Sequence, residues 1–186
     1  MKFETLNSSH SKQLLDFEVE NKAWFESFIA PRDADFYSNV GVSKHVAVLE
    51  ETMRSKSGYS AVLIQNNAIV ARANLKDITD DTAYIGYRVA KNMTSQGIAS
   101  LCVAQLIKVA AQQFSLTTLR AQVLNNNPAS ERVLHKFAFQ AASTQPDFLR
   151  LNGQSLACTE FSLRLSELNQ QALQAKSSLV SSKVGC

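Results

Sequence analysis

Hydrophobic positions along this chain recur with two rhythms. From about Ser9 to Ile29, Leu14, Phe17, Asn21, Trp24, Phe25 and Phe28 lie near one side of a helical wheel. Asn7-Ser8-Ser9 offers caps ahead of them, so the pattern predicts a helix that Pro31-Arg32-Asp33 breaks. Val46, Leu49 and Met53 repeat at the same spacing and predict a second helix over about Ser43–Arg54. From Gly97 to Phe114 the chain is apolar on most of its circumference, with Gln105, Lys108 and Gln112 as a narrow polar stripe. Such a helix packs against a sheet over much of its surface. Runs rich in β-branched and aromatic residues predict strands at Met1–Leu6, Tyr59–Gln65, Ala68–Leu75, Thr82–Ala90 and Thr117–Leu124. Asn66-Asn67 reads as a hairpin turn and Asp80-Asp81 as a further turn. Phe139–Thr144 and Ala157–Leu165 predict two last strands joined by a polar excursion through Pro146 and Gly153. From Glu167 onward Gln, Ser and Ala dominate, which reads as a weakly helical, then disordered tail after one domain over 1–166.

The strand ending in Tyr84–Ala90 runs into Thr94-Ser95-Gln96-Gly97-Ile98-Ala99, where small side chains and a glycine stand at the start of the apolar helix. A helix N-terminus carries unpaired N–H groups and the positive end of the dipole, so small residues there let a phosphate rest on bare backbone. Rival phosphate motifs are absent: the chain has no G-x-x-x-x-G-K-[ST] and no G-x-G-x-x-G after the strand. Taken alone, Gly97 reads equally as a tight turn without a ligand. Further on, Asn127-Pro128-Ala129-Ser130 places a cap and a helix-starting proline ahead of a helix that ends in Leu134-His135-Lys136-Phe137-Ala138-Phe139.

In this order, the turn and the Asn-Pro-x-Ser helix resemble the acyl-CoA-binding core of the GCN5-related N-acetyltransferases (GNAT), in particular the ribosomal-protein-alanine acetyltransferase branch. The resemblance is specific over about Thr82–Phe139 and softer over Phe17–Tyr37. It departs from the family at Thr94, where Gln or Arg is usual, at Ala138, where Gly is usual, and at Tyr84, where many members carry Glu. The fold it implies is a mixed α/β sheet, mostly antiparallel, with one splayed parallel strand pair and helices on both faces. It also implies acetyl-CoA as co-substrate and direct transfer to a primary amine. By matched position, the cofactor would meet the backbone of Val89 and Ala90 and the amides of Gln96, Gly97, Ile98, Ala99 and Ser100. Asn127 would meet the pantetheine arm, and Ser130 would lie near the thioester sulfur. The segment bearing Trp24, Phe28 and Arg32 would border the acceptor.

Direct acetyl transfer needs a polarised thioester, a neutral amine, a stabilised thiolate and close positioning, but no covalent nucleophile. Ser130 is the candidate donor to the thiolate, or else an ordinary residue of a first helical turn. Glu160 is the one carboxylate on the expected last strand and the candidate base, or else a solvent-facing residue. Tyr87 and Asn74 face the cleft from neighbouring strands in this reading. Phe17 and one of Trp24 or Phe25 are expected in the core. Arg32, after a proline in a loop, suits an acidic or carboxylate-bearing acceptor. His135, about one and a half turns beyond Ser130, points elsewhere.

Composition narrows the classes. With 45% hydrophobic and 19% charged residues the chain has the make-up of a globular protein, and its 186 residues suffice for a core. A net charge of +3 with Lys and Arg scattered along the chain does not make a nucleic-acid stripe. Cys102, Cys158 and Cys186 lack metal-ligand spacing, and no metal is expected. The first residues, MKFETLNSSHSKQ, lack the apolar stretch of a signal peptide and no run suits a membrane span, so a cytoplasmic location is expected. Three readings stand: an acetyltransferase for a protein or peptide N-terminus, one for a small amine, or a non-catalytic acyl-CoA-binding module. Each is compatible with a monomer or homodimer.

Overall fold

A computed structural model describes residues 1–151 and 153–166; the tail expected from Glu167 lies outside them. Seven strands form one sheet: β1 (Lys2–Thr5), β2 (Tyr59–Gln65), β3 (Ala68–Lys76), β4 (Thr82–Val89), β5 (Thr118–Leu124), β6 (Gln140–Leu151) and β7 (Gln154–Arg164). Their spatial order is β1-β2-β3-β4-β5-β7-β6, and every pair is antiparallel except β4 with β5. The helices are α1 (Ser11–Glu20), α2 (Lys22–Glu26), α3 (Asn39–Arg54), α4 (Ile98–Gln113) and α5 (Pro128–Lys136). No helix among the described residues is long and apolar enough to cross a membrane.

Alternation along the central strands separates two cores. Ala61, Leu63, Ala71, Ala73, Leu75, Ala83, Ile85, Leu119, Ala121 and Val123 face α4, whose Cys102, Val103, Leu106 and Ala110 are fully buried against them. On the other face Val62 and Ile69 meet Leu14 and Phe17 of α1, Phe25 of α2, and Val42 and Val46 of α3. Helices therefore cover both faces, and Phe17 and Phe25 are core residues. The stripe expected on α4 is there: Lys108 and Gln112 are exposed and Gln105 partly so.

The β4–β5 pairing spans three residue pairs, Thr82↔Thr118 to Tyr84↔Arg120. Beyond it, β4 stays in register with β3 as far as Val89, and β5 stays with β7 as far as Leu124. The two strands part while each remains tied to its outer neighbour. The sheet is split at its centre.

Three elements differ from the sequence expectation. The first helix breaks at Asn21, whose Nδ2 donates to the carbonyl of Phe17 at 2.9 Å alongside its own backbone amide at 3.3 Å. The second helix begins earlier, at Asn39, because Ser38 caps it through a bond from the amide of Gly41 at 3.0 Å. A Cβ on Gly41 would overlap the carbonyl of Asp35, so the passing turn requires glycine there. The polar excursion is instead the far half of a long hairpin, β6–β7, with bulges at Ala141/Ser143 and Gln145/Leu149. Most of β6 is exposed, so backbone pairing and not burial holds it, and no apolar alternation announces it. The Asn66-Asn67 turn has both residues at positive φ, 49° and 59°, as a tight hairpin demands.

Candidate active site

A cleft of about 1510 Å³ opens where β4 and β5 part. On β4, the register with β3 alternates. Ala90 gives its amide to Val70 at 2.9 Å, so Arg88 and Gly86 share its hydrogen-bonded phase. The amides and carbonyls of Tyr87 and Val89 consequently point away from β3, into the split. One of these carbonyls, that of Val89, accepts a bond from Trp24 Nε1 at 3.2 Å, which anchors α2 beside the cleft.

Of the matched positions, Val89, Gly97, Ile98, Ala99, Ser100, Asn127 and Ser130 line the cleft. Ala90 does not: its amide is engaged and its side chain is buried in the core under α1–α3. Gln96 is also set apart, exposed, with Nε2 donating to the carbonyl of Asn92 at 3.0 Å. Gly97 is the N-cap of α4 at φ 79°, and a Cβ there would meet nothing within 4 Å. The left-handed backbone, not a crowded neighbour within the fold, is what calls for glycine. The first α-helical bond of α4 runs from Leu101 to the carbonyl of Gly97, so the amides of Ile98, Ala99 and Ser100 have no partner within the helix and face open space.

Across the split stands α5. Asn127 caps it, its Oδ1 accepting from the amide of Ser130 at 3.1 Å, with Pro128 in the first turn. This turns the Ser130 hydroxyl toward β4, where it lies 2.9 Å from the hydroxyl of Tyr87. Burial pushes the Tyr87 phenol up to about 12, against the opposite pull of the Ser130 bond, so it remains a proton donor at neutral pH. The pair offers two coupled hydroxyls at the point where the strands diverge. His135 stacks its edge against Phe161 and pairs with Glu131, outside the cleft.

Glu160 lies apart from this pair. Its carboxylate accepts from the Tyr84 hydroxyl at 2.7 Å, faces Arg120 at 3.7 Å, and borders a separate cavity of about 70 Å³ with Gln122 and Ser143. Tyr84 itself lines the main cleft. Asp77, exposed at the end of β3, is the one carboxylate-bearing residue among the described residues that line it.

Trp24, Phe28, Arg32 and Asn74 line the opposite arm, with Trp24 and Phe28 edge to face at 4.7 Å and Asn74 accepting from Ser60 at 2.8 Å. Sequence reasoning overlooked their neighbours Arg72, Lys76, Arg88 and His45. A signal existed: Arg72, Asn74 and Lys76 alternate with apolar residues, a polar face on an otherwise buried strand. It also overlooked Arg132 and Lys136, one turn apart on α5. Among the described residues no group of His, Cys, Asp and Glu suits a metal.

Likeness to known proteins agrees with this architecture. The chain is 25% identical over 153 residues to the probable N-acetyltransferase YjcK of Bacillus subtilis, covering 80% of this chain and 84% of that one. The ribosomal-protein-S5-alanine acetyltransferase of Vibrio fischeri superposes with a TM-score of 0.82 at 18% identity, over 87% of this chain and 91% of that one. RimL, a ribosomal L7/L12 α-N-protein acetyltransferase solved with coenzyme A, superposes at 0.79 with 20% identity, over 87% and 92%. At these identities the two solved structures establish the fold. The profile of the acetyltransferase (GNAT) domain matches residues 17–140, from the middle of α1 into the first residue of β6, which includes the split strands, the turn at Gly97 and the Asn-Pro-x-Ser helix. The chain therefore belongs to the GNAT acetyltransferase family and is an acyltransferase.

Proposed function

We propose that this acyltransferase moves the acetyl group of acetyl-CoA to an α-amine, that of a protein or peptide N-terminus. The observation that carries the reading is the Tyr87–Ser130 hydroxyl pair, 2.9 Å apart beside the inward-pointing backbone of Tyr87 and Val89. The names of the ribosomal-protein acetyltransferases that share this fold support a protein acceptor.

The chain's residues suit the donor. Unpartnered amides of Ile98, Ala99 and Ser100 and the dipole of α4 suit a pyrophosphate, and Arg132 and Lys136 add positive charge on the facing helix. A cleft of about 1510 Å³ exceeds what one small ligand fills, consistent with two substrates meeting. The Val89 and Tyr87 backbone pairs with the extended arm of the donor as a further strand would. The amine attacks the thioester carbon, the C–N bond forms and the C–S bond breaks. The amine sheds its proton to solvent, and the Ser130–Tyr87 pair donates to the departing thiolate. A donor that strengthens its bond as charge develops on sulfur acts in the transition state.

An α-amine has a reference pKa of about 8 and is partly neutral at pH 7, whereas a lysine amine near 10.4 requires assistance. With Glu160 engaged by Tyr84 and outside the main cleft, the site favours the acceptor that needs no strong base. The test is release of free thiol from acetyl-CoA with peptides of varied first residue, peptides with acetylated N-termini and one internal lysine, and small amines. Turnover confined to free N-termini supports the proposal. Turnover on the lysine peptide alone, or on none of the panel, overturns it.

A further inference from the structure

The acceptor arm of the cleft holds more positive charge than the fold neutralises. Glu18 is 1% exposed and faces two guanidinium groups, Arg88 at 2.9 Å and the 4%-exposed Arg72 at 3.5 Å. The Nε of Arg72 is buried without a partner. Arg32 lies over the ring of Phe36 at 4.0 Å, has no carboxylate within 4 Å among the described residues, and its buried Nε is also unpartnered. Lys76, which is exposed, extends beside Gly86, where a Cβ would lie 4.0 Å from its Nζ, and among the described residues no carboxylate lies within 4 Å of it. The Nε2 of His45 completes the unsatisfied set, with its ring held neutral by burial and by Arg72, Arg32, Arg88 and Lys76. Arg32, His45, Arg72, Lys76 and Arg88 all line the cleft.

Buried donors are ordinarily paired, and a buried cation without a counter-ion is costly. Four cations are set against one buried carboxylate, Glu18, and the exposed Asp77 here. Arg32 takes no part in holding Glu18 and keeps a buried Nε unpartnered, so folding does not account for it, and Lys76, exposed at the end of β3, adds a further cation to the same cleft.

We propose that this cluster is an anion subsite that selects an acceptor carrying a carboxylate a few bonds from the reacting amine. The inference rests on the acetyltransferase reading above and names its substrate class. Arg88 follows Tyr87 on β4 with its side chain on the opposite face, so an acceptor whose amine enters the split leaves its neighbouring groups beside the cluster. Two sources supply that chemistry: an acidic side chain early in a peptide, or the free α-carboxylate of a small amine.

The experiment measures acetyl transfer to Ser-Asp and Ser-Asn hexapeptides of otherwise equal sequence, and to serine and serinamide, at two salt concentrations. The anionic member of one pair should exceed its neutral partner in kcat/KM by roughly ten- to a hundredfold, the worth of one charge-assisted bond, and should lose more of its rate at high salt. A preference within the peptide pair identifies a peptide acceptor, and one within the serine pair a small one. Arg32→Gln and Lys76→Gln, both outside the Glu18 pairing, should each shrink the ratio. Equal rates within both pairs overturn the proposal. If no acceptor turns over, the acetyltransferase reading fails and a second measurement decides the subsite. Succinate at fixed ionic strength should raise the wild-type Tm by on the order of a few degrees and raise it less in both variants. An equal rise in all three proteins overturns the subsite.

Discussion

At the residue scale, the hydroxyl pair and the end of α5 carry the sharpest consequences. In the proposed mechanism Ser130→Ala and Tyr87→Phe each remove a bond that strengthens toward the departing thiolate. Each should lower kcat by roughly ten- to a hundredfold with little change in KM for acetyl-CoA, read by initial rates. Because the two hydroxyls touch, at 2.9 Å, the double variant should lose less than the sum. Unchanged kcat in Ser130→Ala would reduce Ser130 to a residue of the first turn. The departure from the family at Ala138 also has a physical reading. Its amide bonds to His135 at 3.0 Å and that of Phe139 to Leu134 at 3.2 Å, a Schellman ending that sets Ala138 at φ 61°. Leu134 and Phe139, both fully buried, complete the motif's apolar contact. An alanine is strained there, so Ala138→Gly should raise stability by about 1 kcal/mol in urea titrations. A loss of stability would mean that the flexibility glycine adds to the unfolded chain outweighs that strain.

At the element scale, the break between α1 and α2 couples these helices to the turn before α4. Asn21 takes the Phe17 carbonyl at 2.9 Å with its Nδ2 and accepts from the Lys91 amide at 2.8 Å with its Oδ1. Its side chain is buried, so replacing it strands the Lys91 amide, while the Phe17 carbonyl keeps only the bond from the Asn21 backbone amide at 3.3 Å. Asn21→Ala should cost about 1–3 kcal/mol and raise KM for acetyl-CoA, as the start of the turn at Lys91 loosens. A stability loss with KM unchanged would show that the tie is structural only. Trp24 reinforces the same junction through Val89, which ties α2 to the split strand.

Across the whole molecule, the placement of charge governs the pH response. Among the described residues Asp77, at the exposed end of β3, is the one carboxylate-bearing residue lining the cleft, so kcat/KM should rise with the acceptor amine's own ionisation, centred near pH 8, and Glu160→Gln should change it little. A rate lost by roughly 10²–10⁴ in Glu160→Gln would make Glu160 the base after all. Stability has a separate window. His45 is held down at about 3 in the fold by burial and by Arg72, Arg32, Arg88 and Lys76, against 6.5 unperturbed. The unfolded state therefore binds the extra proton between these values, and the stabilisation from neutral His45 is present above about pH 6.5 and lost as pH falls below it. Between pH 7 and pH 5 the urea midpoint should drop less for His45→Gln than for wild type; an equal drop would show that His45 does not govern this window.

The family was legible before any coordinates because its signals are local. Glycine at a left-handed N-cap, Asn127 with Pro128 at a helix start, and the strand–helix alternation each follow from a few adjacent residues and the backbone geometry those residues favour. Periodicity likewise placed Phe17 and one of Trp24 or Phe25 in the core, whereas the cleft side of that segment was implied only by the family resemblance. What the sequence left open depended on partners distant along the chain. Glu160 reads as a free strand carboxylate until Tyr84, 76 residues away, takes its oxygen. The length of β6 lacks apolar alternation because this exposed strand is held to β7 by main-chain pairing. The cation cluster draws on α1, the Arg32 loop, α3, β3 and β4, and only the packing of helices over the sheet brings their charges together around one buried carboxylate. Local backbone preference is encoded in neighbouring residues, whereas electrostatics and catalytic geometry are sums over space, and in this protein only the tertiary fold sets those distances.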